Sequence, residues 1–196
     1  MTATPARRRR ADELRDAIRA AVLDEVHDRG YTGLTFEGVA RRAGTSKPVL
    51  YRRYDSRAEM AIEAFVAARI STPPADFTGP LRADLVALLS GILARIDRDG
   101  VLTFRGVIGE VDDATVARVA NLVLAQFAGW LDGILARARD AHELGPAPVP
   151  ARVIKAIVAL ARNEILFVHG VGEDPDVEGL VDEVILPLLR TTTAAR

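Results

Sequence analysis

In residues 35–57, six basic side chains (Arg41, Arg42, Lys47, Arg52, Arg53 and Arg57) stand against two acidic ones, Glu37 and Asp55. Guanidinium and ammonium groups gathered in this way can neutralise phosphates and donate to the acceptor edges of bases, although a solvated charged face has the same composition. The other residue types that perform chemistry form no constellation. His27, His142 and His169 are scattered, with no paired-histidine helix and no carboxylate cluster beside them. Gly170-Val171-Gly172 lacks the strand and the third glycine of a dinucleotide loop. His169 reads as a residue at a helix C-terminus, favoured by the dipole. There is no cysteine, which removes disulfides, thiolate metal sites and thiol nucleophiles. The expectation is therefore no enzyme activity, no metal and no cofactor.

The elements that must carry the basic cluster are helical. Hydrophobic residues make up 49% of the 196 positions and charged residues 27%, the balance of an ordinary globular chain with one core or two small ones. Aromatic residues are only 5%, and the abundance of Ala, Leu and Arg favours helix over sheet. The expected fold class is all-α. A net charge of −1 conceals a division, since residues 1–60 hold 13 Lys and Arg against 9 Asp and Glu, and the acidic excess falls in the rest. Ala11-Asp12-Glu13 follows the arginine run Arg7 to Arg10 where an export signal would need an apolar stretch. The longest charge-free run, 119–131, is interrupted by Asn121 and Gln126 and reads as too short and polar to span a bilayer. A soluble, cytoplasmic protein without a membrane partner is expected.

Leu14, Ile18, Ala21, Val22 and Val26 form the stripe of a first helix in which only Glu25 is out of character, and Gly30 ends it. Thr35 is a suitable N-cap for a short helix over 36–43, which Gly44 stops. Ser46 can cap a third helix with Pro48 in its first turn, and Asp55 or Ser56 caps a fourth. Pro73-Pro74 and Thr78-Gly79-Pro80 mark the seam between head and body. Further helices are expected over 81–98, 101–111, from Asp112 or Asp113 to about 141, over 151–168, and from Asp174-Pro175 onward. The expected division is a disordered basic arm over 1–10, a basic helical head over 11–56 and a body over 57–196.

The second and third helices, joined by Ala43-Gly44-Thr45-Ser46, meet the requirements of a helix-turn-helix: Ala40 where the helices cross, glycine in the turn, and Val39 and Leu50 to hold the angle. Lys47, Val49, Arg52 and Arg53 then face outward, with Tyr51 partly so, on a helix able to enter a major groove. An αα-hairpin with a solvated arginine face satisfies the same spacing. The stretch Gly33-Leu34-Thr35 through Val39-Ala40-Arg41-Arg42-Ala43-Gly44-Thr45-Ser46-Lys47-Pro48-Val49-Leu50-Tyr51-Arg52-Arg53-Tyr54, followed by Ser56-Arg57-Ala58-Glu59-Met60, resembles the DNA-binding domain of TetR-family transcriptional regulators. The resemblance implies that Thr35, Ser46, Lys47, Pro48, Val49, Tyr51 and Arg57 touch DNA. Gly38 inside the second helix, about 1 kcal/mol worse than alanine there, and the Arg52-Arg53 pair depart from the family pattern. The Arg7 to Arg10 run resembles arms that some members lay in the minor groove.

The resemblance further implies a three-helix head joined through helix four to a ligand-binding and dimerisation body, and a repressor that binds a palindromic double-stranded operator until a small-molecule effector releases it. For the effector the body offers Phe104, Phe127, Trp130 and Phe167, with Asn163 among the polar residues in apolar surroundings. The helix over 151–168 is apolar on nearly every side, so it and the last helix are expected to build a homodimer through Ile157, Ile165, Val184, Ile185 and Leu188.

Overall fold

In a computed structural model, residues 5–96, 98–168 and 174–194 are described, and no strand occurs among them. The helices are α1 (Pro5–Arg29), α2 (Phe36–Arg42), α3 (Lys47–Tyr51), α4 (Arg57–Ile70), α5 (Leu81–Leu93), α6 (Arg98–Ile108), α7 (Asp113–Asp140), α8 (Ala151–Asn163), α9 (Val177–Gly179) and α10 (Leu186–Thr193). A short 3-10 turn, Tyr31–Gly33, links α1 to α2. Two stretches are wound as π-helix: Glu164–Val168 continues α8, and Leu180–Ile185 joins α9 to α10. His169 and Gly170 to Gly172 lie outside the described residues. The chain divides into two compact units, one of Met1–Ser71 with Leu102–Val119, the other of Thr72–Val101 with Ala120–Arg196.

The first unit is built on the stripe read from α1. Ile18, Ala21, Val22 and Val26 are buried against Leu34, Val39, Ala40, Leu50, Tyr54, Ala58 and Ala61, and Val107 closes the same core. Each large aliphatic side chain taken out of water in this way contributes roughly 1.5–3 kcal/mol. The first helix begins earlier than expected: α1 starts at Pro5 and runs through the four arginines. Proline suits a first turn, and nothing between Arg10 and Ala11 interrupts a series of good helix formers.

In the second unit, the N-terminus of α5 lacks a side-chain cap from Pro80, and Glu143 replaces it by accepting Leu81 N at 3.0 and 3.1 Å. Buried Asp84 accepts Gly79 N through one oxygen (3.0 Å) and Arg137 Nη2 through the other (2.7 Å), tying α5 to the turn before it and to α7. Arg82 forks onto Asp182 (2.7 Å at both oxygens) and Glu178 (2.8 Å), joining α5 to the final helical stretch. Asp176, two residues past Asp174, caps α9 through Gly179 N. The apolar run over 119–131 belongs to α7, a 28-residue helix that by length and composition alone could cross a membrane. Its Phe127, Trp130, Leu131, Ile134, Leu135 and Ala138 are buried.

Candidate nucleic-acid interface

Thr35 opens α2 with its Oγ1 accepting Gly38 N at 3.0 Å, which leaves its exposed hydroxyl hydrogen free to donate. Val39 and Ala40 are buried on the inner face of α2, and the chain reverses at Gly44, whose φ of +61° is a left-handed value that a side chain would strain. Thr45 N closes the turn on Ala40 O at 3.0 Å. Ser46 stands at the N-cap of α3 without a side-chain cap bond, so its exposed hydroxyl is uncommitted there. Pro48 occupies the first turn, and Leu50 alone of α3 is buried. Ser56 caps α4 through Glu59 N (3.0 Å), while Glu59 returns to Asp55 N (2.9 Å).

The outward surface is thus Thr35, Ser46, Lys47, Pro48, Tyr51, Arg52 and Arg53, all exposed, with Val49 half-buried. Tyr51 is 60% exposed and its ring stacks on Phe36 at 4.3 Å between centroids with 20° between planes, which fixes where the phenol points. Lys47 Nζ lies 2.6 Å from Glu37 Oε2; their hydrogen bond pushes the lysine up and the glutamate down, so both are charged at neutral pH. Among the described residues Arg41, Arg52 and Arg53 form no ion pair. Arg42 is spent within the fold: its Nε donates to Glu25 and its Nη2 to Asp28 at 2.6 Å. Arg57 is also engaged, by Glu110 and by Thr32 O, and stacks over Tyr31 with its guanidinium carbon 5.0 Å from the ring centre.

Sequence reasoning missed Glu25, Tyr31 and Glu110. Glu25 is fully buried, with Arg42 on one oxygen and Arg29 Nη1 3.4 Å from the other. It lies against Gly38, where any Cβ would overlap its carboxylate. The odd acid in the α1 stripe and the odd glycine in α2 are therefore one contact, and two coincident anomalies were the available signal. Glu110 gives none, since 53 residues separate it from Arg57.

Phe104 packs on the core of the first unit. Phe127 and Trp130 are buried on α7, Asn163 is exposed and donates to Glu164 (3.4 Å), and Phe167 is 64% exposed. A narrow apolar cleft lies among α5, the end of α8 and the start of the final helical stretch, lined by Leu89, Ile92, Ile165, Val177 and Leu180 with Glu164. Of the residues expected at a dimer interface, Ile157 and Ile185 are fully buried within the protomer, Ile165 lines the cleft, Leu188 is half-buried and Val184 is 41% exposed. Among the described residues no group of His, Asp or Glu is arranged to hold a metal ion.

A helix-turn-helix presenting uncommitted arginines and a fixed tyrosine, on a chain whose second unit holds helices and no strand among the described residues, defines a DNA-binding regulator. Comparison with known proteins is consistent with this. The family model described as bacterial regulatory proteins, tetR family, matches residues 18–64, and that described as the tetracyclin repressor-like C-terminal domain matches residues 74–184. The chain belongs to the TetR family of transcriptional regulators. An uncharacterised HTH-type transcriptional regulator of Mycobacterium tuberculosis is 29% identical over 180 residues, covering 89% of this chain and 87% of its own. The DNA-binding transcriptional repressor TetR of Mycobacteroides abscessus is 29% identical over 186 residues, covering 91% and 95%. A solved TetR family transcription regulator superimposes with a TM-score of 0.69 at 26% identity, over 88% of this chain and 97% of that one. FadR from Bacillus subtilis, solved with stearoyl-CoA, shares the fold with a TM-score of 0.60 at 16% identity, over 90% and 97%. The family and these relatives are transcriptional regulators and not enzymes.

Proposed function

We propose that the chain is a repressor that binds a palindromic operator as a homodimer in the cytoplasm and is released by a small-molecule effector. The observation that carries the reading is the end of α3, where Tyr51 on the last helical turn and Arg52 and Arg53 in the turn just past it, rather than on the helix as expected, stand exposed beside a helix anchored by Leu50 alone. A helix so placed can enter a major groove while Thr35, Ser46 and Lys47 meet the flanking phosphates. Repression is supported by the name of the Mycobacteroides abscessus relative, and effector control by the FadR structure, which holds a ligand. The cleft of Leu89, Ile92, Ile165, Val177 and Leu180 is the place proposed for the effector in this chain; its volume of about 10 Å³ means that α5 and the helical ends beside it would have to part to admit one. Its hydrocarbon lining takes up apolar surface, and π-helical turns of the kind at Glu164 and Leu180 recur at functional sites.

The experiment is a gel shift and footprint with duplexes from the region flanking the chain's own gene. A protected two-fold site, with half-sites about one or more turns of roughly 34 Å apart, supports the reading. A folded protein that protects no site refutes it and leaves a helical ligand carrier as the alternative.

A further inference from the structure

We propose that Glu110 is an internal counter-anion for DNA binding, holding the Arg57 guanidinium in the free protein and yielding it to a DNA phosphate in the complex. The inference rests on the reading of Arg57 as a phosphate contact. The pairing is two-pronged: Arg57 Nη2 donates to Glu110 Oε1 at 2.9 Å and Nε to Oε2 at 3.2 Å. Nη1 donates to Thr32 O at 3.3 Å. Three of five N–H donors are thereby used, and the positive charge is cancelled. Glu110 is itself held, since the Tyr31 hydroxyl donates to Oε2 at 2.9 Å. It follows α6 and precedes α7, within the same compact unit as Arg57.

Two features make this pair a competitor of DNA as well as a clamp. The side chains are 38% and 40% exposed, so water reaches both and the pair is weak enough for a phosphate to displace. The Tyr31 bond keeps Glu110 in place after displacement, so its charge then faces the phosphate that took its partner. Arg57 therefore adds little net electrostatic affinity in the wild type, and the pair lowers affinity for every sequence alike because phosphate contacts carry no sequence information. Lys47 with Glu37 repeats the arrangement at the start of α3.

The test measures equilibrium binding of the full chain to a duplex from its upstream region and to an unrelated duplex, over a salt series. The proteins are the wild type, Glu110→Gln, Glu110→Ala, Arg57→Ala and the double variant Arg57→Ala with Glu110→Gln, each checked for an intact thermal transition. Glu110→Gln and Glu110→Ala are expected to tighten binding to both duplexes by about two- to fivefold and to steepen the salt dependence by about one phosphate's worth, roughly 0.9 in the logarithmic slope. Arg57→Ala uncovers the Glu110 charge, so it is expected to weaken binding to both duplexes and to flatten the slope, and the double variant, with both charges gone, returns near the wild-type values. Unchanged or weaker binding by folded Glu110→Gln and Glu110→Ala overturns the proposal and assigns the pair a structural role alone. If the folded wild type binds neither duplex, the DNA-binding reading of Arg57 falls, and this proposal with it.

Discussion

Glu25 and Gly38 show how a residue that looks unsuitable alone becomes intelligible through its partner. Helix propensity alone predicts that Gly38→Ala stabilises α2 by about 1 kcal/mol. The structure reverses the sign, because the new Cβ would overlap a buried carboxylate held by Arg42. Net destabilisation of about 1–3 kcal/mol is expected from such overpacking, to be measured by urea denaturation; a variant more stable than wild type contradicts the contact. On the outer face, Tyr51→Ala removes both the proposed groove contact and the ring stacked on Phe36. It should weaken operator binding by about 1–3 kcal/mol with the fold unchanged. Tyr51→Phe keeps the stack, so fluorescence-anisotropy titrations of both variants separate the hydroxyl from the ring.

At the scale of elements, caps and periodicity located the helices well wherever the signal was local. Thr35, Gly44, Ser46 and Ser56 bound α2, α3 and α4 as read. The π-helical segments were not legible, since one extra residue per turn barely disturbs an apolar pattern. The exposed side of the last helix was not legible either, because a stripe shows which residues are apolar and not which are already covered. Ile185 is buried within the protomer whereas Val184 is 41% exposed. Ile185→Asp should therefore unfold the chain, and Val184→Asp should leave it folded but reduce the proposed dimer to monomers in light scattering; a dimeric Val184→Asp protein moves the interface elsewhere.

The Arg82 fork onto Asp182 makes a pH prediction at the same scale. Its hydrogen bond holds the Asp182 carboxyl below the ordinary range. A depressed folded pKa gives stabilisation that is present above the unfolded value, about 3.9, and is lost as pH falls through the folded one. The melting temperature of Asp182→Asn should thus lie below wild type at neutral pH and converge with it in acid. A gap that persists unchanged at low pH would mean that the ion pair does not carry the difference.

For the whole molecule, the basic head and acidic body were visible in the charge division, and the all-helical class in composition. The cleft proposed for the effector was not, because aromatic residues in an apolar body are first of all core. Phe104 packs on the first unit's core, and Phe127 and Trp130 are buried along α7. Which residues line a cleft depends on how α5 meets the ends of α8 and α9, a long-range relation that no local pattern encodes. The same holds for Glu110 beside Arg57. The central claim, that α3 reads a specific site, is tested most directly by comparing wild type with Arg52→Ala and Arg53→Ala on the footprinted duplex and on a scrambled one at physiological salt. Arg52 and Arg53 have no ion pair among the described residues, so at least one variant should lose about ten- to a hundredfold for the specific duplex, about 1–3 kcal/mol, and much less for the scrambled one. Equal losses on both duplexes, or none in either variant, would contradict it.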